Sequence, residues 1–145
     1  MDATHPEPSE AQRAMILGGE ADGPIVALNL NRYRERAVYP DGTPDADVSG
    51  REAYARYGIV AWQAITAVGG RIVWAAPVEG LAIGCDHDRY DEVVAVWYPK
   101  RSSLGELSGF PGYDEAFELH RRAGIEQAAL ILCSAGPEPV LASPF

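Results

Sequence analysis

The sequence predicts an α+β domain of ferredoxin-like βαββαβ topology: an antiparallel sheet with both main helices on one face, preceded by a short N-terminal helix. Three observations carry this expectation. Residues 25–32, 71–78, 92–98 and 127–133 are rich in β-branched and aromatic side chains and are bounded by Gly, Pro and Asp, as strands are. Residues 49–68 and 113–124 instead repeat apolar side chains at helical intervals. The resulting order, strand, helix, strand, strand, helix, strand, is that of two βαβ halves sharing one sheet.

The elements follow in chain order. Residues 1–8 carry Pro6 and Pro8 in polar company and read as a flexible leader. Ser9 and Gln12 have capping-box spacing for a helix to Leu17, with Gly18 and Gly19 as its stop. In the first strand Val26, Leu28 and Leu30 share one face; Asn29 and Asn31 lie on the other, Asn31 at a solvated end. Residues 39–49 collect Pro, Asp and Gly and form a loop able to close over a pocket.

Ser49 and Glu52 make a second capping box, and Tyr54, Tyr57, Ala61, Ile65 and Val68 form the stripe of a long helix that Gly69 and Gly70 end. Gly58 in its middle costs about 1 kcal/mol relative to Ala. The second strand is expected to continue through residues 81–83 past a bend at Pro77 and Gly80. Residues 92–98 are apolar on both faces, which marks a central strand. A short turn near Ser102 and Ser103 is broken at residues 109–112, after which Tyr113, Ala116, Phe117 and His120 follow helical spacing. Residues 9–134 thus form a single domain, and the Pro-containing residues 135–145 an extended C-terminal arm.

With 145 residues, 47% of hydrophobic type, the chain has enough apolar material for one core. A net charge of -9 argues against nucleic acid and against an anionic membrane surface, both of which select clustered Lys and Arg. No apolar run approaches the ~20 residues of a membrane span, and the acidic start is unlike a secretory signal, so a cytoplasmic location is expected. Cys85 and Cys133 read as reduced thiols. Trp74 and Trp97 sit on patches that two helices cannot both cover, which predicts a homodimer through the open sheet face.

The blocks PIVALNLNR at 24–32, SGREAYARYG at 49–58, GGRIVWAAPVEG at 69–80, DRYDEVVAVWYPKRSS at 88–103 and HRRAGIE at 120–126 resemble, in this order, the family called domain of unknown function 1330. The resemblance spans most of the chain and implies the dimeric α+β barrel fold. That superfamily includes cofactor-independent monooxygenases, muconolactone-type isomerases and haem-using enzymes, which implies a pocket between sheet and helices. Gly109, Pro111 and Gly112 interrupt a helix that is unbroken in typical members.

Several residues are candidates for chemistry. His120 falls on the apolar stripe of the second helix, where an imidazole facing the sheet serves as general acid or base. Asn29, on an aliphatic strand, is a candidate polarising donor. Tyr57, Trp74 and Tyr98 have the large bodies and polar tips of pocket walls, and Arg32 is placed to grip an anion. The Cys, His and Asp residues at 85–91 have neither zinc nor calcium spacing and read as a solvated turn, so neither metal nor cofactor is expected. Two main classes of function remain open, with a haem or metal site at His120 or at the cluster around His87 as a weaker third. One is a cofactor-independent enzyme of isomerase or monooxygenase type, moving protons on a small organic substrate; the other is a non-catalytic ligand-sensing or structural homodimer.

Overall fold

A computed structural model describes residues 7–17, 22–141 and 143; the expected stop at Gly18 and Gly19, most of the leader and the end of the arm lie outside them. The elements are α1 (Glu10–Leu17), β1 (Ile25–Tyr33), α2 (Gly50–Ala67), β2 (Arg71–Pro77), β3 (Glu92–Tyr98), α3 (Ser103–Glu106), α4 (Tyr113–Ala116), α5 (Arg122–Gly124) and β4 (Ile125–Ser134). Strand order is β2-β3-β1-β4, every neighbouring pair is antiparallel, and the helices cover one side. This is the ferredoxin-like α+β arrangement, an open sheet rather than a closed barrel.

Both capping boxes form at least in part. Ser9 and Gln12 bond reciprocally at the start of α1, at 2.8 and 3.2 Å, and the Ser49 hydroxyl accepts from the Glu52 amide at 3.0 Å. Residues 81–83 do not extend β2. They lie in a loop with Leu81 and Ile83 exposed, because no strand lies beside them to pair with and a 3₁₀ turn, Asp86–Asp88, redirects the chain. Residues 135–141 contain no helix or strand.

The strand register sorts the side chains into two faces. Ile72, Val96, Ala27 and Leu132 form one row across the sheet and Ala75, Val94, Asn29 and Leu130 the next, both beneath the helices. On the opposite face Trp74, Ala95, Leu28 and Ile131 form a single row. Asn31 belongs to the helix side and is 2% exposed, so it is not the solvated strand end its position suggests: its side chain lies beside Tyr33 and Tyr54, and the Asp91 amide donates to its backbone carbonyl.

The helical layer meets the sheet through two glycines. The Arg34 amide donates to the Gly124 carbonyl at 2.8 Å, and the Gly50 amide to the Arg34 carbonyl at 3.0 Å. A Cβ on Gly50 would strike the Arg34 carbonyl and come within 2.7 Å of Gly124 O; one on Gly124 would strike the Gly50 carbonyl. Backbone atoms cannot yield as a side-chain tip can. A Cβ on Gly58, in contrast, meets nothing within 4 Å.

Two substitutions of one methyl group should therefore have opposite signs. Gly124→Ala is expected to lower unfolding free energy by about 1–3 kcal/mol through overpacking. Gly58→Ala should raise it by about 0.5–1 kcal/mol through helix propensity. Urea unfolding followed by circular dichroism checks both, and equal effects would remove this account of the contact.

Candidate functional site

Between sheet and helices lies a cavity of ≈ 190 Å³. The floor comes from all four strands, through Ala27 and Asn29 of β1, Ile72 of β2, Val94, Val96 and Tyr98 of β3, and Leu130 of β4. One wall is α2, with Tyr54, Tyr57, Gly58 and Ala61; the other carries Leu107, Tyr113, Phe117 and Arg121. Gly58 belongs here because its missing side chain is part of the empty space. An apolar cavity of ~150 Å³ accommodates benzene, so this one has room for about a single ring with a small substituent.

The polar groups of the lining are mostly tyrosine hydroxyls. Tyr57 and Tyr113 share a hydrogen bond of 3.1 Å, and the rings of Tyr33, Tyr54, Tyr57 and Tyr113 succeed one another with centroids 5.2, 5.4 and 5.9 Å apart. Tyr98 is 3% exposed, and its hydroxyl has no hydrogen-bond partner among the described residues. Burial pushes the pKa of Tyr54, Tyr57, Tyr98 and Tyr113 upward, so all four stay protonated near neutral pH. They act as donors and acceptors, not as bases.

Tyr57, Tyr98 and Asn29 line the cavity. Asn29, however, spends its amide N–H groups on the carbonyls of Ala27 and Val94, at 3.3 and 3.2 Å. It is thereby not the polarising donor expected; its side-chain oxygen is the atom left to act, as an acceptor.

Trp74 is on the other side of the sheet. Ile72 pairs with Val96 and Trp74 with Ala95, so the strand takes an extra residue at Val73 and the alternation flips. Ile72 holds the place under the helices that unbroken alternation assigns equally to Trp74. Arg32 also points to the open face, where its guanidinium donates to the carbonyls of Arg89 and Asp86 and to the Gln127 side chain.

His120 leaves the stripe for a comparable reason. Residues Phe117–Arg121 form a π turn between α4 and α5, which inserts one residue into the helical period. The phase past Phe117 lags, and Arg121 comes round to the cavity instead, its guanidinium 4.6 Å from the Phe117 ring centroid. His120 lies in a separate open bowl with Pro44, Asp45, Asp47, Val48 and Arg56. There its Nδ1 is 2.7 Å from the Tyr39 hydroxyl, which also accepts from Arg56 at 3.2 Å. Since Arg56 only donates, the Tyr39 O–H is free to point at Nδ1, which leaves the imidazole proton on Nε2. Neither Arg121 nor Tyr113 stands out by residue type; only the position of the π turn would have found Arg121.

No family model and no curated protein matches the chain, so the resemblance to domain of unknown function 1330 is not carried to a family match. Solved structures do match. A structure of the RPA0582 protein of Rhodopseudomonas palustris, described as a protein of unknown function, is 34% identical, covers 92% of this chain and 98% of its own, and superposes with a TM-score of 0.81. The methylated RPA0582 protein matches equally, at 34% identity and a TM-score of 0.82 over 92% of this chain and 96% of its own. The chain belongs to the RPA0582 family. An uncharacterised NIPSNAP-like domain protein from Burkholderia xenovorans aligns at 17% identity over 85% of this chain and 97% of its own, with a TM-score of 0.48. Among the described residues no helix is long and apolar enough to cross a membrane.

Burial and the nearby Arg56 charge lower the His120 pKa, against a smaller opposing effect of Glu115. A histidine depressed in the folded state contributes stability that is present above its unfolded pKa of about 6.5 and lost as pH falls through the lower folded value. Nitrogen-resolved NMR should show His120 as the Nε2–H tautomer titrating below 6.5. Arg56→Gln should move that midpoint upward, and an unchanged midpoint would exclude the charge as a cause.

Proposed function

We propose that this RPA0582-family protein binds a small, partly apolar organic molecule, about one ring in size, in the cavity between sheet and helices. The cavity itself carries the reading: an interior otherwise packed with aliphatic and aromatic groups keeps ≈ 190 Å³ open beside four tyrosines, Tyr54, Tyr57, Tyr98 and Tyr113. Apolar walls with a few placed polar groups are the usual construction of a small-molecule site. Tyr57 and Tyr98 from the expected set, joined by Tyr54, Tyr113, Asn29 and Arg121, are the binding residues.

The non-catalytic alternative is better supported than proton-transfer chemistry of the isomerase or monooxygenase kind. His120, the expected acid or base, lies outside the cavity, and the cavity tyrosines are held neutral. A proton-transfer reading would need substrate in the bowl beside the Tyr39–His120 pair. Turnover lost in His120→Gln but kept when the cavity is filled would support it.

The same proposal includes a homodimer through the open sheet face. The row Trp74, Ala95, Leu28 and Ile131 runs across all four strands; Trp74 and Ile131 are each 46% exposed. The chain covers one end of this face itself, since Trp97 Nε1 donates to the Gly136 carbonyl at 3.0 Å and Ala135 packs there. A second copy is the economical cover for the rest.

Filling the cavity tests the binding reading without touching a polar group. Gly58→Leu is expected to keep or raise the melting temperature while abolishing the stabilisation that ring-sized ligands such as benzyl alcohol or benzoate give the wild type. Ligand-induced shifts that survive Gly58→Leu would place binding elsewhere. For the assembly, sedimentation equilibrium should find a dimer that Ile131→Glu converts to folded monomer, whereas a monomeric wild type would end that part of the proposal.

A further inference from the structure

We infer that the Tyr39–His120 hydrogen bond is a pH-operated latch: it holds the loop of residues 37–48 against the helical layer while the imidazole is neutral and releases the loop when the ring is protonated. The inference concerns the bowl around His120 and does not depend on what the cavity between sheet and helices binds.

The loop has few attachments. Its ends lie together, since the Ala37 amide donates to the Val48 carbonyl at 2.9 Å and Arg36 pairs with Asp47. Between them the loop bonds largely to itself: Thr43 donates to the Pro40 carbonyl from its amide at 3.2 Å and from its hydroxyl at 2.6 Å. Asp45 is left-handed, with φ 54°, a backbone state that L-residues rarely adopt and that the closed loop has to maintain. Among the described residues, two groups tie the loop to the helices: the Val38 amide, which donates to the Ala123 carbonyl at 2.9 Å, and the Tyr39 side chain. Pro44, Asp45, Asp47 and Val48 form the loop's side of the bowl, so the loop covers the bowl and not the cavity.

The Tyr39 tie works in one protonation state of its partner. The Tyr39 oxygen accepts from Arg56 at 3.2 Å, and its proton goes to His120 Nδ1 at 2.7 Å. The Arg56 guanidinium also lies over the Tyr39 ring, 5.7 Å from its centroid, and the imidazole meets that ring edge-on at 5.6 Å. Once Nδ1 carries a proton it accepts nothing, and the Tyr39 O–H loses its acceptor. Keeping the contact would then require one oxygen to accept from imidazolium and guanidinium together, two like charges side by side.

The other charged groups facing the ring are Asp45 and Asp47 from the loop and Glu115 from α4. Asp47 is taken up by Arg36, and Glu115 is outweighed by burial and Arg56. Asp45, at the exposed tip, is the carboxylate left to hold a protonated ring inside the bowl, the outcome opposite to release. The latch is thus closed above the folded-state midpoint of His120, which lies below the ordinary 6.5, and opens as pH falls through it.

Backbone relaxation and imidazole shifts measured by NMR on the full chain, from about pH 7.5 to about pH 4.5, test the latch across the His120 midpoint. Order parameters of residues 41–43 and 45–47 are expected to fall from about 0.85 to below about 0.6, with the same midpoint as the His120 ring. His120→Asn offers Tyr39 an amide oxygen that does not titrate, and should keep the loop ordered at both ends of the range. Tyr39→Phe should lower the order parameters already at neutral pH and remove their pH dependence, and circular dichroism should show both variants folded. Loop order that stays constant while the ring titrates, as expected if Asp45 captures the imidazolium, would overturn the latch. So would a ring that stays neutral throughout, loosening that persists in His120→Asn, or a Tyr39→Phe loop indistinguishable from wild type.

Discussion

The contact on which the rest depends is the backbone approach of Gly50 to Gly124. Two carbonyls and two amides, from Arg34, Gly50 and Gly124, interlock where the start of α2, the end of α5 and the exit of β1 meet. A side chain at either glycine would hold the elements apart, so this junction sets how closely the helices lie on the sheet. Near it, Asn31 is buried beside the Tyr33 and Tyr54 hydroxyls, and Glu92 accepts from Tyr33 and pairs with Arg51 on α2. From there the tyrosine rings step along the interface toward Phe117, each propping the helices off the sheet by its own bulk. The cavity lies along that ladder, where Ala27, Gly58 and Ala61 are too small to fill the space the tyrosines keep open.

Much of this was legible from residue pattern, because it follows from local rules. Capping boxes at Ser9 and Ser49, the stripe Tyr57, Ala61, Ile65 and the two-faced apolar strand 92–98 each obey a period of the chain and need no knowledge of neighbours. The illegible part comes from two single-residue insertions. The bulge at Val73 and the π turn at Phe117–Arg121 both shift a phase, and a phase shift moves every later side chain to another face. Trp74 and Ile72 exchange roles in one case, His120 and Arg121 in the other. Neither insertion has a residue signature: no Gly or Pro marks the spot, and both arise because tertiary packing outweighs the ideal period. The surroundings of Arg32 and Asn31 were illegible for a different reason. Arg32 meets the loop 85–91 and Asn31 lies beside Tyr54 of α2, both contacts between segments far apart in sequence.

The two sides of the sheet show how burial is divided in a small domain. Under the helices, aromatic residues with polar tips keep a space; on the opposite face Trp74, Ala95, Leu28 and Ile131 form a row, and residues 135 and 136 cover the end around Val26 and Trp97. A sheet with one helical layer cannot bury both faces, so the uncovered row implies either a partner or a solvent cost that a domain of this size is poorly placed to carry. The acidic balance of the chain does not oppose self-association there, because the row itself is uncharged.

The electrostatics of the interior also decide between kinds of chemistry. A general base must lose its proton near the working pH, and burial drives phenols the other way. The four buried tyrosines therefore stay protonated and line the cavity with groups that exchange hydrogen bonds without acting as bases. The titratable imidazole, by contrast, lies in the bowl outside, wired to Tyr39 and Arg56 and depressed by both burial and charge. Separation of the cation-and-hydroxyl cavity from the imidazole follows from one extra residue in the helix, and it is this separation that favours recognition over acid–base catalysis.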